Sequence, residues 1–335
     1  MFTPLIRAGL SLVSPGGTAA LSILIYHRVL PRLDPVMPEL GDVVSFEAQI
    51  STLVKTFNVI PLSEAVQRLA SGTLPPRAAC ITFDDGYADN HEVALPILKK
   101  YGVKAAFFIA SGYLDGGTMW NDEVIEAIRS THIDLLEGGG LGLGAIPLRN
   151  LEEKRAAIVR LISRLKYCAP DHRSDLSKHI LEKCKVSGPT NLMMRSDQVR
   201  ALRDAGMEIG CHTKHHPILN LLDLKAAKKE ITDGREQLES ICGQPVSFFA
   251  YPNGRPDRDY GPQHVQLVRE LGFVAAVSTV WGAAKTGDDL FQLPRFTPWG
   301  HSTVGFQARL GQNILRSRLN MPASGAWHAQ PDPLM

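Results

Sequence analysis

The sequence predicts an α/β fold built on parallel strands, and three observations predict it. Largely apolar runs of strand length recur, at 22–26, 78–83 and 104–110 among others, and such runs mark strands buried on both faces. Segments with apolar residues spaced three and four apart separate them, as amphipathic helices do. The residues able to do chemistry gather where the runs end, which is the C-terminal mouth of a parallel α/β sheet.

Taken in order, the segment 1–21 holds Arg7 and a short apolar run cut off by Ser14-Pro15-Gly16-Gly17. That run is too short for a secretory leader and far below a membrane span. Leu5, Ile6, Leu10 and Leu12 are compatible with a peripheral contact at a membrane surface. The run 22–26 opens the main domain, expected over 22–300, and ends in His27. Ser45 reads as the cap of a helix with Phe46, Ile50, Leu53, Val54 and Phe57 on one face. A short strand at 58–62 and a helix capped by Ser63 and stopped near Gly72 follow. After 78–83 comes a loop turning into a helix over 89–101, with Pro96 near its start, then the strand 104–110.

From 112 to 190 the strand–helix rhythm stops. Helical patterns at 122–129, 150–165 and 172–185 surround the glycine run Gly138-Gly139-Gly140-Leu141-Gly142, which reads as flexible. This region is expected to be a helical insertion on the rim, serving as a lid or a substrate-recognition element. The rhythm resumes with Ser196 capping a helix over 197–205, then strands at 207–211, 247–251 and 274–279 with helices at 223–242 and 262–271 between them. A last short strand is placed at 293–296, a C-terminal helix within 301–321 and a flexible tail over 322–335.

Composition narrows the function classes. The 335 residues are 44% hydrophobic and 21% charged, which is a globular chain with ample core. A net charge of +2 argues against nucleic acid as a partner. Five cysteines without regular spacing (Cys80, Cys168, Cys184, Cys211, Cys242) suggest neither a zinc cluster nor a disulfide framework. A reducing, cytoplasmic setting is the expectation.

Two patterns carry chemistry. Ile81-Thr82-Phe83-Asp84-Asp85-Gly86 ends an apolar strand in two adjacent carboxylates and a glycine. Neighbouring side chains on a strand start from opposite faces, and a glycine turn can bring both acids to one pocket in different surroundings. One acid can then hold a metal while the other moves a proton. Far downstream, His212 and His216 in Cys211-His212-Thr213-Lys214-His215-His216-Pro217 stand four apart, close enough to share one turn. Two imidazoles and a carboxylate form a three-ligand set with a position left open for water.

Thr82-Phe83-Asp84-Asp85-Gly86 resembles the first motif of the polysaccharide deacetylases (the NodB-homology, or carbohydrate esterase family 4, group), and His212-Thr213-Lys214-His215-His216-Pro217 resembles their second, H-[ST]-x-x-H-P. Phe249-Ala250-Tyr251-Pro252-Asn253-Gly254 lies where the third, R-x-P-Y-G in many members, would fall. The similarity runs from about Ile23 to Phe296. It implies a distorted, incomplete (β/α) barrel of about seven strands, and metal-dependent removal of acetyl groups from sugars.

The resemblance also implies roles. Asp85, His212 and His216 become the metal ligands, with zinc expected and nickel or cobalt suited to the same set. Asp84 becomes the general base, Thr213 a brace for the histidine loop, and the Asn253 backbone N–H an oxyanion donor. His215 is expected to be an exposed loop histidine. The third motif's arginine, which positions the catalytic aspartate in relatives, is missing; Arg295 is the candidate replacement, against the reading of a structural arginine. The family's late general-acid histidine has no clear counterpart, since His264 and His301 lie in other settings. Tyr26-His27-Arg28-Val29 is similar to the Y-H-x-V opening of some exopolysaccharide deacetylases, which implies His27 as the acid; the competing reading is a buried histidine satisfied by backbone. Trp120, Trp299, Tyr87 and Tyr251 are candidates to stack on sugar, or core.

The activity so implied is hydrolysis of N-acetyl groups on amino sugars of a polysaccharide, oligosaccharide or lipid-linked glycan. Its alternatives are a C–N hydrolase acting on a small non-sugar amide, and a non-catalytic glycan-binding relative.

Overall fold

The computed structural model describes residues 11, 14–17, 20–298 and 302–318. Leu5, Ile6, Leu10 and Leu12 of the expected interfacial segment, the tail, Trp299 and His301 lie outside these residues. Ten strands and ten α-helices make up the described chain, with short 3-10 and π turns between them.

Seven parallel strands form a nearly closed barrel in the order β1 (Ser22–Tyr26), β3 (Ala78–Phe83), β4 (Ala106–Ile109), β7 (Glu208–Cys211), β8 (Phe248–Ala250), β9 (Ala275–Trp281) and β10 (Leu293–Arg295). A single parallel bridge between Leu24 and Phe296 joins the last strand to the first, with the Ile25 N–H donating to the Phe296 carbonyl at 3.0 Å. The two-residue strand β2 (Asn58–Val59) pairs only with the start of β3. That leaves β4 to meet β3 at its final residues, Thr82 and Phe83, and this offset distorts the ring.

Side-chain alternation sorts the core into two parts. Ile23, Ala78, Cys80, Ala106, Phe108, Ala250, Val277 and Leu293 fill the barrel interior. Leu24, Ile81, Phe83, Phe107, Ile109, Ile209 and Phe249 pack outward against the helices. The interior is built from small residues where it must be: a Cβ added to Gly210 would stand 2.4 Å from the Phe108 ring.

The helix caps depart from expectation. Asp42, not Ser45, caps α1 (Val43–Thr56), and Ser45 completes a capping box as the third helical residue. Ser63 lies inside α2 (Leu62–Ser71), whose free N–H groups at Leu62 and Ser63 are met at 2.7 and 3.0 Å by the Glu208 carboxylate from the foot of β7. Ser196 is the first residue of α7 (Ser196–Asp204), where Arg195 occupies the cap position. An acceptor supplied from across the fold leaves no mark in the local sequence. Between β3 and α3 (Leu95–Lys100) a π-turn runs over Asn90–Ala94, a form that concentrates near functional sites.

β4 and β7 are neighbours, so the chain between them leaves and re-enters at one point of the rim. It carries α4 (Trp120–Ser130), the antiparallel hairpin β5 (Leu135–Gly138) and β6 (Gly144–Pro147), α5 (Leu151–Leu165) and α6 (Pro170–Cys184). These elements share their own core of Val124, Ile128, Leu136, Ile158, Leu161 and Ile180. The glycine run expected to be flexible is the turn of that hairpin, and a Cβ on Gly138 would meet the Gly144 carbonyl at 2.4 Å.

Two helices complete the barrel wall near the mouth, α8 (Leu224–Cys242) and α9 (Pro262–Glu270), and α10 (Thr303–Arg318) packs beneath β1. Gly234 of α8 lies against the 212–216 loop, where a Cβ would stand 2.5 Å from the Thr213 carbonyl carbon. In an ordinary helix interior Gly→Ala stabilises by about 0.5–1 kcal/mol. Gly234→Ala is expected to do the reverse, lowering the thermal midpoint and weakening divalent-metal binding; a raised midpoint with unchanged metal affinity would refute the close approach.

Candidate active site

The inward face of β3 runs Ala78, Cys80, Thr82 and, one step past the strand, Asp84. The inward face of β10 ends in Arg295. Arg295 is 1% exposed and spans the barrel: its Nε donates to the Ser278 carbonyl at 2.8 Å, and Nη1 and Nη2 donate to Asp84 Oδ1 and Oδ2 at 2.7 and 2.6 Å. Nη1 also donates to Thr82 Oγ1 at 3.2 Å, and the guanidinium lies 5.8 Å from the centre of the Phe108 ring. A forked pair of this kind fixes both position and plane of a carboxylate. Burial pushes the Asp84 carboxyl up, but Arg295 and His212 outweigh it and hold it below the usual carboxylate range.

After Asp84 the chain turns at once. Asp85 takes a left-handed conformation with φ 75°, followed by Gly86 at φ 95°. The Asp85 carbonyl accepts from the Ala110 N–H at 3.1 Å, and a side chain on Gly86 would press on Ile109 at 2.9 Å. The turn therefore rests on β4 and brings Asp85 round to the same mouth as Asp84.

The inward face of β7 continues through Gly210 to His212. Its ring Nδ1 donates to the Ala250 carbonyl at the end of β8, 2.7 Å away, which leaves Nε2 deprotonated and facing Asp85 Oδ1 at 3.6 Å. Thr213, at φ 63°, accepts the His216 N–H at 3.0 Å through Oγ1 and donates to the His212 carbonyl. That bond curls the loop so that His216 Nε2 reaches 3.5 Å from Asp85 Oδ1. His215 points outward and pairs with Glu230.

One ligand atom from each of Asp85, His212 and His216 lies within 4.8 Å of the other two. Gaps of 3.5 and 3.6 Å are too long for hydrogen bonds and match the roughly 3.3–3.6 Å between ligands about 2.0–2.2 Å from a tetrahedral ion. Burial lowers both imidazoles, His212 to about 4 against the opposing pull of Asp84, and His216 well below its ordinary value. Both are thus neutral and ready to act as ligands. The donor set fits a divalent cation.

His27 follows β1 by one residue and is half-buried, close enough that its charge would act on Asp84, His212 and His216. Asn253, at φ 59°, follows β8, with its carbonyl accepting from Thr279 Oγ1 at 2.6 Å. The strands therefore direct all seven singled-out residues (His27, Asp84, Asp85, His212, His216, Asn253 and Arg295) to the C-terminal mouth. Sequence reading missed what holds His27: Asn90 Nδ2 donates to its carbonyl at 2.8 Å, while Asp89 accepts from the Val29 N–H at 3.0 Å and pairs with Arg28 at 2.8 Å. The only signal was the pair's place just after the Asp-Asp turn. Tyr87 and Tyr251 are core residues, each fully buried, with hydroxyls on Asp122 and the Phe291 carbonyl. Neither is free to stack on a sugar.

A family model described as polysaccharide deacetylase matches residues 71–135 and 176–276. YxkH of Bacillus subtilis (strain 168), which carries a polysaccharide deacetylase name, is 23% identical over 279 residues, covering 83% of this chain and 71% of YxkH. The deacetylase PplD of Streptococcus pyogenes, solved with acetate, superimposes with a TM-score of 0.59 at 18% identity over 89% of this chain and 99% of that one. IcaB from Ammonifex degensii gives 0.56 at 18% identity over 88% and 97%. At these identities the solved structures establish the shared fold.

Arg295→Met would strip the counter-ion from a buried carboxylate, and the unfolding free energy of metal-free protein at pH 7 is expected to fall by about 3–5 kcal/mol. The pH dependence should also change sign. In the parent the folded carboxyl lies below its unfolded value, so its contribution is present above about pH 4 and lost as the pH falls through the folded value. In the variant burial dominates and raises it, so acidification from pH 7 toward 5 should restore stability. Denaturant unfolding at both pH values with chelator measures this; a variant as stable as the parent at pH 7 would remove Arg295 from its role.

Proposed function

Because the chain belongs to the polysaccharide deacetylase family, we propose that it is a metal-dependent hydrolase removing N-acetyl groups from amino sugars of a polysaccharide, oligosaccharide or lipid-linked glycan. The supporting observation is the meeting of Asp85, His212 and His216 beside a carboxylate held by both its oxygens. Hydrolysis of an amide needs an activated water, a stabilised oxyanion and a proton for the departing nitrogen.

Asp85, His212 and His216 hold the cation. When bound, it supplies a Lewis acid for the acetyl carbonyl and makes water more acidic; zinc suits the ligand set, as nickel or cobalt would. Asp84, ionised at neutral pH and oriented by Arg295, takes the proton of the attacking water. The Asn253 N–H donates to the oxygen that gains charge as water adds to the acetyl carbon. His27, fixed through its backbone by Asn90, gives its proton to the sugar nitrogen as the C–N bond breaks, leaving acetate and a free amine.

Acetate release from N-acetylated chito-oligosaccharides by zinc-loaded protein tests this reading. Asp84→Asn is expected to slow release by about 10²–10⁴-fold with metal content retained, whereas His212→Ala should lose the metal, read by elemental analysis. Parental rates in Asp84→Asn would sink the base assignment. No acetate from the loaded parent on any acetylated glycan would sink the deacetylase reading.

A further inference from the structure

The rim insertion brings an unexplained cation to the mouth. Arg173, in the first turn of α6, is 5% exposed. Its Nη1 donates to the Lys166 carbonyl at 3.2 Å, and its guanidinium lies 4.9 Å from the centre of the Trp120 ring. Among the described residues no carboxylate pairs with it; Glu123 on the adjoining α4 is engaged by Ser177 instead. A buried guanidinium without a counter-ion is unfavourable, and a structural arginine at this spot would have been better replaced by an apolar residue against Trp120.

The position of this charge matters more than its burial. Met119, next to Trp120, packs against Tyr87 two residues past Asp85, which puts the Trp120–Arg173 pair on the side of the insertion that faces the Asp-Asp turn, and the charges of Arg173 and Lys166 reach His216. The basic character continues on the third-motif side of the mouth. Tyr167 lies under Arg258 at 4.6 Å and donates to Asp259 at 3.3 Å, and Asp259 accepts the Arg255 N–H at 3.0 Å. Insertion and third-motif loop thus meet at Tyr167, with Arg255 and Arg258 exposed on the loop side. Lys166 and Arg173 fall between the two stretches matched to the family model, within the chain's own insertion.

Resting on the deacetylase reading, we propose that Arg173, with Lys166 beside it, forms an oxyanion-binding subsite at the catalytic mouth, and that the glycan acted on carries a carboxylate or phosphate close to its acetamido group. The guanidinium fork matches either oxyanion in two hydrogen bonds, and the Trp120 ring behind it holds the fork in place.

The probes are three N-acetylglucosamine tetramers: unmodified, oxidised to a carboxylate at C6, and phosphorylated at C6. Binding is measured by calorimetry to zinc-loaded Asp84→Asn protein, with and without a second change at Arg173. At least one anionic tetramer is expected to bind about tenfold or more tighter than the neutral one, with the gap narrowing as salt rises. Arg173→Met should bring the ratio close to one and Arg173→Lys should keep part of it; the tighter anion identifies the substituent. Equal binding of all three, or an anionic preference unchanged in folded Arg173→Met, overturns the subsite. If the Met variant does not fold, Arg173→Lys decides, and a preference indifferent to both that change and salt overturns it. Acetate release by the parent is scored separately: anionic preference without acetate would overturn the deacetylase reading and leave the subsite standing.

Discussion

The ion pair between Asp84 and Arg295 is the constraint on which the mouth depends. Two charges inside a barrel are tolerable only when each satisfies the other and the remaining hydrogen-bonding groups find partners. Here the Ser278 carbonyl and the Thr82 hydroxyl take up what the carboxylate does not. The interior accommodates this crossing because Ala78, Ala106, Ala250 and Gly210 leave room around Phe108 and the guanidinium. With both Asp84 oxygens engaged, its neighbour is left to face the imidazoles, so one dipeptide serves two purposes without the carboxylates competing for a proton.

Backbone conformation divides along the same line. Of eight non-glycine residues with positive φ among the described residues, four are Asp85, Thr213, His216 and Asn253. Strain of this kind persists only where surrounding contacts over-determine it. Ala110 fixes the Asp85 carbonyl, the Thr213 hydroxyl bridges His212 and His216, and Thr279 fixes Asn253. Gly234 removes the side chain that would push the histidine loop outward. The candidate ligands Asp85, His212 and His216 are therefore aimed by backbone held against rigid strands and a helix, not by flexible side chains reaching for one another.

Much of this was legible in the residues alone, for a definite reason. Strand-end motifs are local: Asp84-Asp85-Gly86 and His212 to His216 carry their spacing with them, and the apolar runs mark the strands that deliver them. The outer helices were legible for the same reason, to within a few residues. What escaped depends on partners remote in sequence. Glu208 caps a helix that begins at Leu62, the Asp89–Asn90 clamp acts on a strand end some sixty residues earlier, and the burial of Arg173 between Trp120 and the Lys166 carbonyl arises only once the helices of the insertion pack on one another. The glycine run misled because composition alone cannot separate a floppy linker from a hairpin whose tight turn needs glycine.

Ring closure falls to the last strand. The bridge from Leu24 to Phe296 and the anchor for Asp84 both arrive with β10, 211 residues after the carboxylate they complete. During synthesis the ribosome releases the first six barrel strands before that anchor exists, and until then Asp84 gains by staying hydrated or protonated rather than sealed inside. A nascent chain halted short of β10 would hold an open sheet with its two edges unpaired, prone to pairing with other chains. Maturation of the catalytic mouth is thereby tied to completion of nearly the whole polypeptide, an ordering imposed by topology alone.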